Sequence, residues 1–276
     1  MNLVVQGPSI TLRHLETLAK MTGSSGFARL GANAFRLADA NVREGVAAYC
    51  EGAQLDFGFV APGAELAHFR LVAFDMDSTV ITIECVDELG ALAGKKDEVA
   101  AITSAAMRGE MDFAESLRRR VALLKGLPEK ALEQVYSERL RLTDGTEPLM
   151  ARLKALGATT LLVSGGFTYF TERIKKRLSF DRATSNTLEI VRRRMTGRIK
   201  GKILDADGKA AAVRDMREDL GLRRDEVLAV GDGANDLAMM AEAGTSVAYR
   251  AKPLVREKAT YCLNYVGLDG VLSLFP

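Results

Sequence analysis

Two aspartates stand two residues apart in Phe74-Asp75-Met76-Asp77-Ser78-Thr79, directly behind the apolar run Leu71-Val72-Ala73-Phe74. A short all-apolar run reads as a strand covered on both faces, as in a parallel sheet between helical layers. Side chains at i and i+2 of an extended segment leave the same side of the backbone. Asp75 and Asp77 are therefore expected to converge just beyond the strand's carboxyl end, where open α/β sheets hold their ligands. Two like charges held that close require a cation, or a proton on one of them. Asp75, read as an exposed and ionised oxygen, is suited to nucleophilic attack and a covalent acyl phosphate. Asp77 is suited to protonate a leaving oxygen and later to take a proton from water.

Two more apolar runs end in tips of the same kind. Thr160-Leu161-Leu162-Val163 leads into Ser164-Gly165-Gly166, and Val227-Leu228-Ala229-Val230 leads into Gly231-Asp232-Gly233-Ala234-Asn235-Asp236. Asp232 adds the hard oxygen that a Mg²⁺ site requires. Ser164 with the Gly165 and Gly166 amides can cradle phosphoryl oxygens at a helix N-terminus. A lysine is needed to offset charge on those oxygens in the transition state. Lys200, Lys202 and Lys209 all precede the Asp232 strand, and the residues alone leave that choice open. Asp205-Ala206-Asp207-Gly208 begins like a calcium loop, but Met216 stands where the closing glutamate belongs, so it reads as a hairpin or loop turn.

Two charged residues are out of place. At about 100° per residue, Arg120 falls on the same helix face as Phe113, Leu117 and Leu124, while Arg118 and Arg119 point away. A charge on an apolar face needs a partner. A substrate carboxylate is one candidate, and a glutamate such as Glu88 or Glu110 is the other. Glu84, inside Val80-Ile81-Thr82-Ile83-Glu84-Cys85-Val86, sits where the chain leaves the aspartate corner. It suits an ammonium group, or else merely starts a helix.

The positioning elements are those of an α/β protein with a doubly wound, mostly parallel sheet. Residues 84–144 hold no convincing strand and read as helices over Val86–Leu92, Lys96–Arg108, Asp112–Lys125 and Glu129–Leu142, a helical cap inserted after the first core strand. Residues 187–204 read as a small hairpin region, and Ser246–Tyr249 as the last strand. Residues 1–64 follow the order βαββαβ, a ferredoxin-like arrangement shared with amino-acid-sensing ACT domains. No polar cluster there calls for a ligand, so packing or homodimerisation is the simpler expectation. Ala61-Pro62-Gly63-Ala64 reads as a linker, leaving 65–276 as the core domain with its cap.

Composition narrows the chemistry further. A net charge of +2 gives no bias toward nucleic acid or membrane, and Arg192-Arg193-Arg194 lacks interleaved aromatics. Three widely spaced cysteines argue against a disulfide framework and for a cytoplasmic protein. No run is apolar enough to span a membrane, and the N-terminus shows no signal pattern. With only His14 and His68, multi-histidine metal sites and histidine phosphatases are excluded. No arginine follows any cysteine at the spacing of a cysteine-phosphatase loop.

The three tips, Phe74 to Thr79, Val163 to Phe167 and Val230 to Asp236, resemble the motifs of the haloacid dehalogenase superfamily, and within it the phosphoserine phosphatase family. The resemblance covers about residues 68–265. It implies a Mg²⁺-dependent phosphatase acting through an aspartyl phosphate, with Asp75 as nucleophile and Asp77 as acid and base. It further implies Mg²⁺ on the Asp75 and Asp232 carboxylates and the Asp77 backbone carbonyl, with Asp236 in the metal shell. It selects Lys209, at a helix start, as the phosphate lysine. Glu84 and Arg120 match the positions that hold an amino acid's ammonium and carboxylate. Met107 and Phe113 match the apolar residues that close over it, and Asn235 a further substrate contact. The expected reaction is hydrolysis of O-phosphoserine, the last step of serine biosynthesis. The alternatives are phosphotransfer to an alcohol such as homoserine, or a catalytically silent amino-acid sensor.

Overall fold

The structure is a computed structural model that describes all 276 residues. The chain opens with β1 (Asn2–Gln6), α1 (Leu12–Thr22), β2 (Gly26–Gly31), β3 (Ala34–Ala38), α2 (Val46–Gly52) and β4 (Asp56–Val60). These strands form an antiparallel sheet in the order β2-β3-β1-β4, the ferredoxin-like arrangement. Strand alternation divides its faces. Leu3 and Val5 pack with Leu15, Leu18 and Cys50 beneath the two helices, while Val4 and Val60 join the main core.

The remainder runs β5 (Leu71–Phe74), α3 (Cys85–Leu92), α4 (Lys96–Met107), α5 (Phe113–Ala122), α6 (Lys130–Gln134), α7 (Thr146–Ala155), β6 (Thr159–Phe167), α8 (Thr168–Leu178), β7 (Arg182–Val191), β8 (Arg194–Lys200), α9 (Ala206–Asp219), β9 (Val227–Gly231), α10 (Leu237–Ala241), β10 (Thr245–Tyr249), α11 (Pro253–Lys258), β11 (Tyr261–Leu263) and α12 (Gly270–Leu274). Its seven strands are ordered β11-β10-β9-β5-β6-β7-β8. Every pair is parallel except β7 with β8. The first core strand thus lies between β6 and β9, and all three polar tips meet at one edge. Val72 and Phe74 face one core layer, Leu71 and Ala73 the other, which α9 and α10 cover through Val213, Met216, Met239 and Met240.

Helices α3 to α6 leave the sheet at this edge. The outgoing and returning segments pair, with Thr82 N–H donating to Arg141 O (3.0 Å), Thr143 N–H to Val80 O (3.0 Å), and a bridge between Ile81 and Leu142. Beyond that gate, Asp144 O accepts the Leu268 N–H at 2.8 Å. Gly145 lies so close to the loop 264–269 that an added Cβ would come within 2.4 Å of the Asp269 nitrogen. On its far side the same loop is held by buried Asp56 of β4, which accepts the N–H groups of Asn264, Tyr265 and Val266 at 2.6, 2.8 and 3.1 Å.

Several sequence expectations need correction. The expected hairpin is present as the antiparallel pair of β7 and β8, but β7 starts earlier, at Arg182, and also extends the parallel sheet beside β6. Asp205 is no loop turn but the N-cap of α9, accepting the Gly208 N–H at 2.9 Å. The fourth cap helix ends at Gln134 and continues as a wider turn to Arg139, rather than running to Leu142. The last strand is Tyr261–Leu263, a three-residue edge too short to show a pattern.

Candidate active site

Asp75 follows β5 in extended conformation (φ −69°, ψ 159°), so it continues the face of Leu71 and Ala73. That is the face on which α9 packs, and Lys209 in the first turn of α9 reaches it. The Lys209 ammonium, 1% exposed, donates to Asp75 Oδ1 and to Asp236 Oδ1, the latter at 2.7 Å. Asp236 Oδ2 accepts the N–H groups of Asp232 (3.1 Å) and Gly233 (2.9 Å), which folds the β9 tip back on itself. Oxygens of Asp75, Asp232 and Asp236 all lie within 4.8 Å of one another.

Asp77 departs from the expected convergence, for its carboxylate is outside this cluster. The chain turns sharply at Ser78, a serine in the left-handed region (φ 58°), and Asp77 swings toward the cap. There its Oδ1 accepts the Cys85 N–H at 3.0 Å, and its Oδ2 accepts from Ser164 Oγ at 3.1 Å. The Gly166 N–H in turn donates to Ser164 Oγ at 2.9 Å. A Cβ on Gly166 would stand 2.5 Å from Asp77 Oδ2, so glycine is required for this approach.

The electrostatics follow from burial. Asp75 is 5% exposed, not the exposed group expected from the sequence. Desolvation, with Asp236 and Asp232 adding to it against the opposing pull of Lys209, pushes its carboxyl well above the usual range. Desolvation and Asp236 raise Asp232 to about 6, while the Thr79 hydroxyl, 3.1 Å from its Oδ1, pulls the other way. Burial alone would lower the Lys209 pKa, but Asp236 and Asp75 more than offset it and keep the ammonium charged. Three carboxylates against one ammonium leave a deficit that a divalent cation would make good, and their hard oxygens suit one. The residues present fit a metal ion.

A cavity of about 690 Å³ opens above this corner, between the sheet edge and α3, α4, α5 and α11. Asp75, Asp77 and Asp232 form its floor, and Glu84, Met107, Phe113, Arg120, Gly165 and Asn235 line the rest. Ser164 and Lys209 lie directly beneath, both buried. Glu84 starts α3 without capping it; its Oε1 accepts from Ser78 Oγ at 2.7 Å. The side chain is exposed toward the cavity it lines, and desolvation followed by Asp77 raises its carboxyl to about 7. Arg120 is buried on α5 while Arg118 and Arg119 lie outside. The glutamates weighed as its partners are taken, Glu88 by Arg139 and Glu110 by Arg108.

Sequence reasoning gave Thr79 and Asn186 no task. Asn186, 2% exposed on β7, donates to Gly165 O at 2.9 Å and accepts the Leu204 N–H at 2.7 Å, tying the β6 tip to the approach of α9. Thr79 stood in the motif, but a lone asparagine in a polar strand carries no signal.

Residues 69–244 match the family model of the haloacid dehalogenase-like hydrolases. The chain belongs to that family. Residues 3–46 match the model of a domain of unknown function, DUF4072. Among curated relatives of this hydrolase, the phosphoserine phosphatase of Polaromonas sp. is 51% identical over 218 residues, 77% of this chain and 92% of its own length. That of Vibrio cholerae is 45% identical over 221 residues, 80% of this chain and 67% of its own. The unliganded crystal structure of a probable phosphoserine phosphatase from Vibrio cholerae superposes with a TM-score of 0.86 at 38% identity, over 99% of this chain and 86% of that one. A phospho-aspartyl intermediate analogue of phosphoserine phosphatase superposes with a TM-score of 0.71 at 36% identity, over 75% and 99%. The hydrolase is an enzyme of the phosphatase type acting on a small molecule, and no helix is long and apolar enough to cross a membrane.

Proposed function

We propose that this chain hydrolyses O-phospho-L-serine to L-serine and phosphate through an acyl phosphate on Asp75. The observation that carries this is the placement of Arg120 and Glu84, a buried cation and an acid open to the cavity, on the cap side of one cavity floored by Asp75, Asp77 and Asp232. A general phosphatase has no use for either.

Asp75 attacks phosphorus while the bond from phosphorus to the serine oxygen breaks. Asp77, turned toward the cap and held by the Cys85 N–H, gives its proton to that oxygen. The resulting carboxylate then takes a proton from water, whose oxygen attacks the phosphorus and frees Asp75. Lys209 keeps Asp75 oriented and offsets charge on the phosphoryl oxygens, together with Ser164 and the Gly165 amide. Met107 and Phe113 cover the bound amino acid, and Asn235 contacts it from the β9 tip. The Asp75 and Asp232 carboxylates and the Asp77 carbonyl, with Asp236 behind them, would hold Mg²⁺, which when bound would supply charge neutralisation at the phosphoryl group. The match to relatives named as phosphatases speaks against a silent amino-acid sensor.

We further take 1–64 as an ACT-like unit and 84–144 as the cap of the 65–276 core. We infer a homodimer built on the first sheet, whose outer strand β2 is exposed over Gly26–Arg29, and residence in the cytoplasm, consistent with three free cysteines.

Phosphate release with Mg²⁺ across phosphoserine, phosphothreonine, phosphoethanolamine and phosphoglycolate tests the substrate. Arg120→Ala should raise KM for phosphoserine by about 100-fold, the scale of losing a buried charge pair. KM for p-nitrophenyl phosphate, which has no carboxylate, should hardly change; equal effects on both would make Arg120 a structural residue. Glu84 adds a pH signature. A carboxyl raised to about 7 loses its charge as the pH falls below that value, so KM for phosphoserine should climb there. Glu84→Gln should abolish that climb, and an unchanged profile would remove Glu84 from ammonium binding.

A further inference from the structure

The cavity holds another acid, Asp87, to which the reaction gives no task. Three residues after Glu84 on the first turn of α3, it returns to the same side of the helix and lines the same wall. Its Oδ1 lies 3.8 Å from Arg120 Nη1, outside hydrogen-bond range. Asp87 Oδ1 and Arg120 Nε are both buried, and neither has a hydrogen-bond partner. Arg120 is itself only 8% exposed. Elsewhere in the cap, acids and bases have closed on each other: Arg139 on Glu88 at 2.5 Å, Arg119 on Glu115 at 2.7 Å, Arg108 on Glu110 at 2.6 Å. The Arg120 and Asp87 pair stays open where it faces the substrate cavity, with a free donor edge beside a free acceptor. Lys252 is the other cation lining the cavity; its backbone N–H donates to Asp232 O at 3.2 Å, and its charge also acts on Asp87, though after that of Arg120.

We propose that Asp87 is a specificity-determining residue that makes the cavity demand an ammonium group together with a carboxylate. The inference rests on the reading in which Arg120 receives the substrate carboxylate and Glu84 its ammonium. A carboxylate docking on the free edge of Arg120 arrives beside an acid that already offsets the guanidinium charge. A phosphorylated hydroxy acid therefore brings two like charges together with nothing to separate them. An α-amino acid carries its own counter-charge one carbon away, between Glu84 and Asp87, and Asp87 Oδ1 gains the donor it lacks. The loose pair acts as a filter, attracting the zwitterion and rejecting the plain acid.

The test uses the full chain with Mg²⁺ and measures kcat/KM for phosphoserine, phosphoglycolate, phosphoethanolamine and p-nitrophenyl phosphate. Asp87→Asn should lower phosphoserine about tenfold and raise phosphoglycolate about tenfold, the ordinary scale of one charge contact. Phosphoethanolamine should fall as well, and p-nitrophenyl phosphate should stay level. Asp87→Ser should give the same contraction of the phosphoserine-to-phosphoglycolate ratio by a different side chain. An unchanged ratio in both variants, or a parallel fall on all four substrates, overturns the inference. The wild type reports on the underlying reading separately: without a preference for phosphoserine, that reading fails first and takes the filter with it.

Discussion

Asp75→Asn is expected to lose turnover by roughly 10⁴-fold or more, the scale of removing a covalent nucleophile, while the protein stays folded. The amide keeps an oxygen for Lys209 but cannot become an acyl phosphate. Its effect on stability should have the opposite sign to its effect on rate. Asp75 is 5% exposed and crowded by Asp236 and Asp232, so in metal-free protein its charge is a burden. The neutral amide removes that burden, and the melting temperature in EDTA should match or exceed that of the wild type. Added Mg²⁺ should then stabilise the variant less than the wild type, because one carboxylate of the cluster is gone. Turnover within about tenfold of wild type would remove Asp75 from the nucleophile's role, whatever the melting curves show.

Lys209→Met should do the reverse to stability and is the second large effect. The ammonium is 1% exposed and holds Asp75 and Asp236 at once. Removing it leaves buried carboxylates uncompensated, a loss of about 3–5 kcal/mol. The pH dependence has a definite sign. The Asp75 carboxyl is raised in the folded protein, so its ionised form is the penalised one, and the penalty grows as the pH rises above the unfolded value. The deficit of Lys209→Met should accordingly be least in acid and largest at neutral pH. Mg²⁺ should recover much of the lost melting temperature but not the rate, since the ammonium facing the phosphoryl oxygens is still missing. A variant as stable as wild type in EDTA at neutral pH would be incompatible with the buried triad.

What the sequence disclosed about this corner depended on whether a residue's task leaves a pattern. Asp75, Ser164 and Asp232 were legible because each ends an apolar run, and parallel strands bring such ends to one edge. Arg120 was legible because helical periodicity separates it from Arg118 and Arg119. Asp77 was placed correctly along the chain but not in direction, since extended spacing predicts convergence and a serine gives no warning of a left-handed turn. Asp87 looked like an ordinary acid in a first helical turn, where the helix dipole favours one. Asn186 works through backbone atoms of Gly165 and Leu204, which have no residue type to betray them. β11 escaped because three residues are too few for a period.

The loop 264–269 touches the cap's return segment on one side and Asp56 of the first sheet on the other. Its three amides, at Asn264, Tyr265 and Val266, therefore give a deuterium-exchange reporter that needs no substrate. They are shielded only while the first sheet is seated, so their exchange rate measures its opening directly. A molecule that loosened that sheet would register at these amides first, and would reach the gate at Val80 and Thr143 through Asp144.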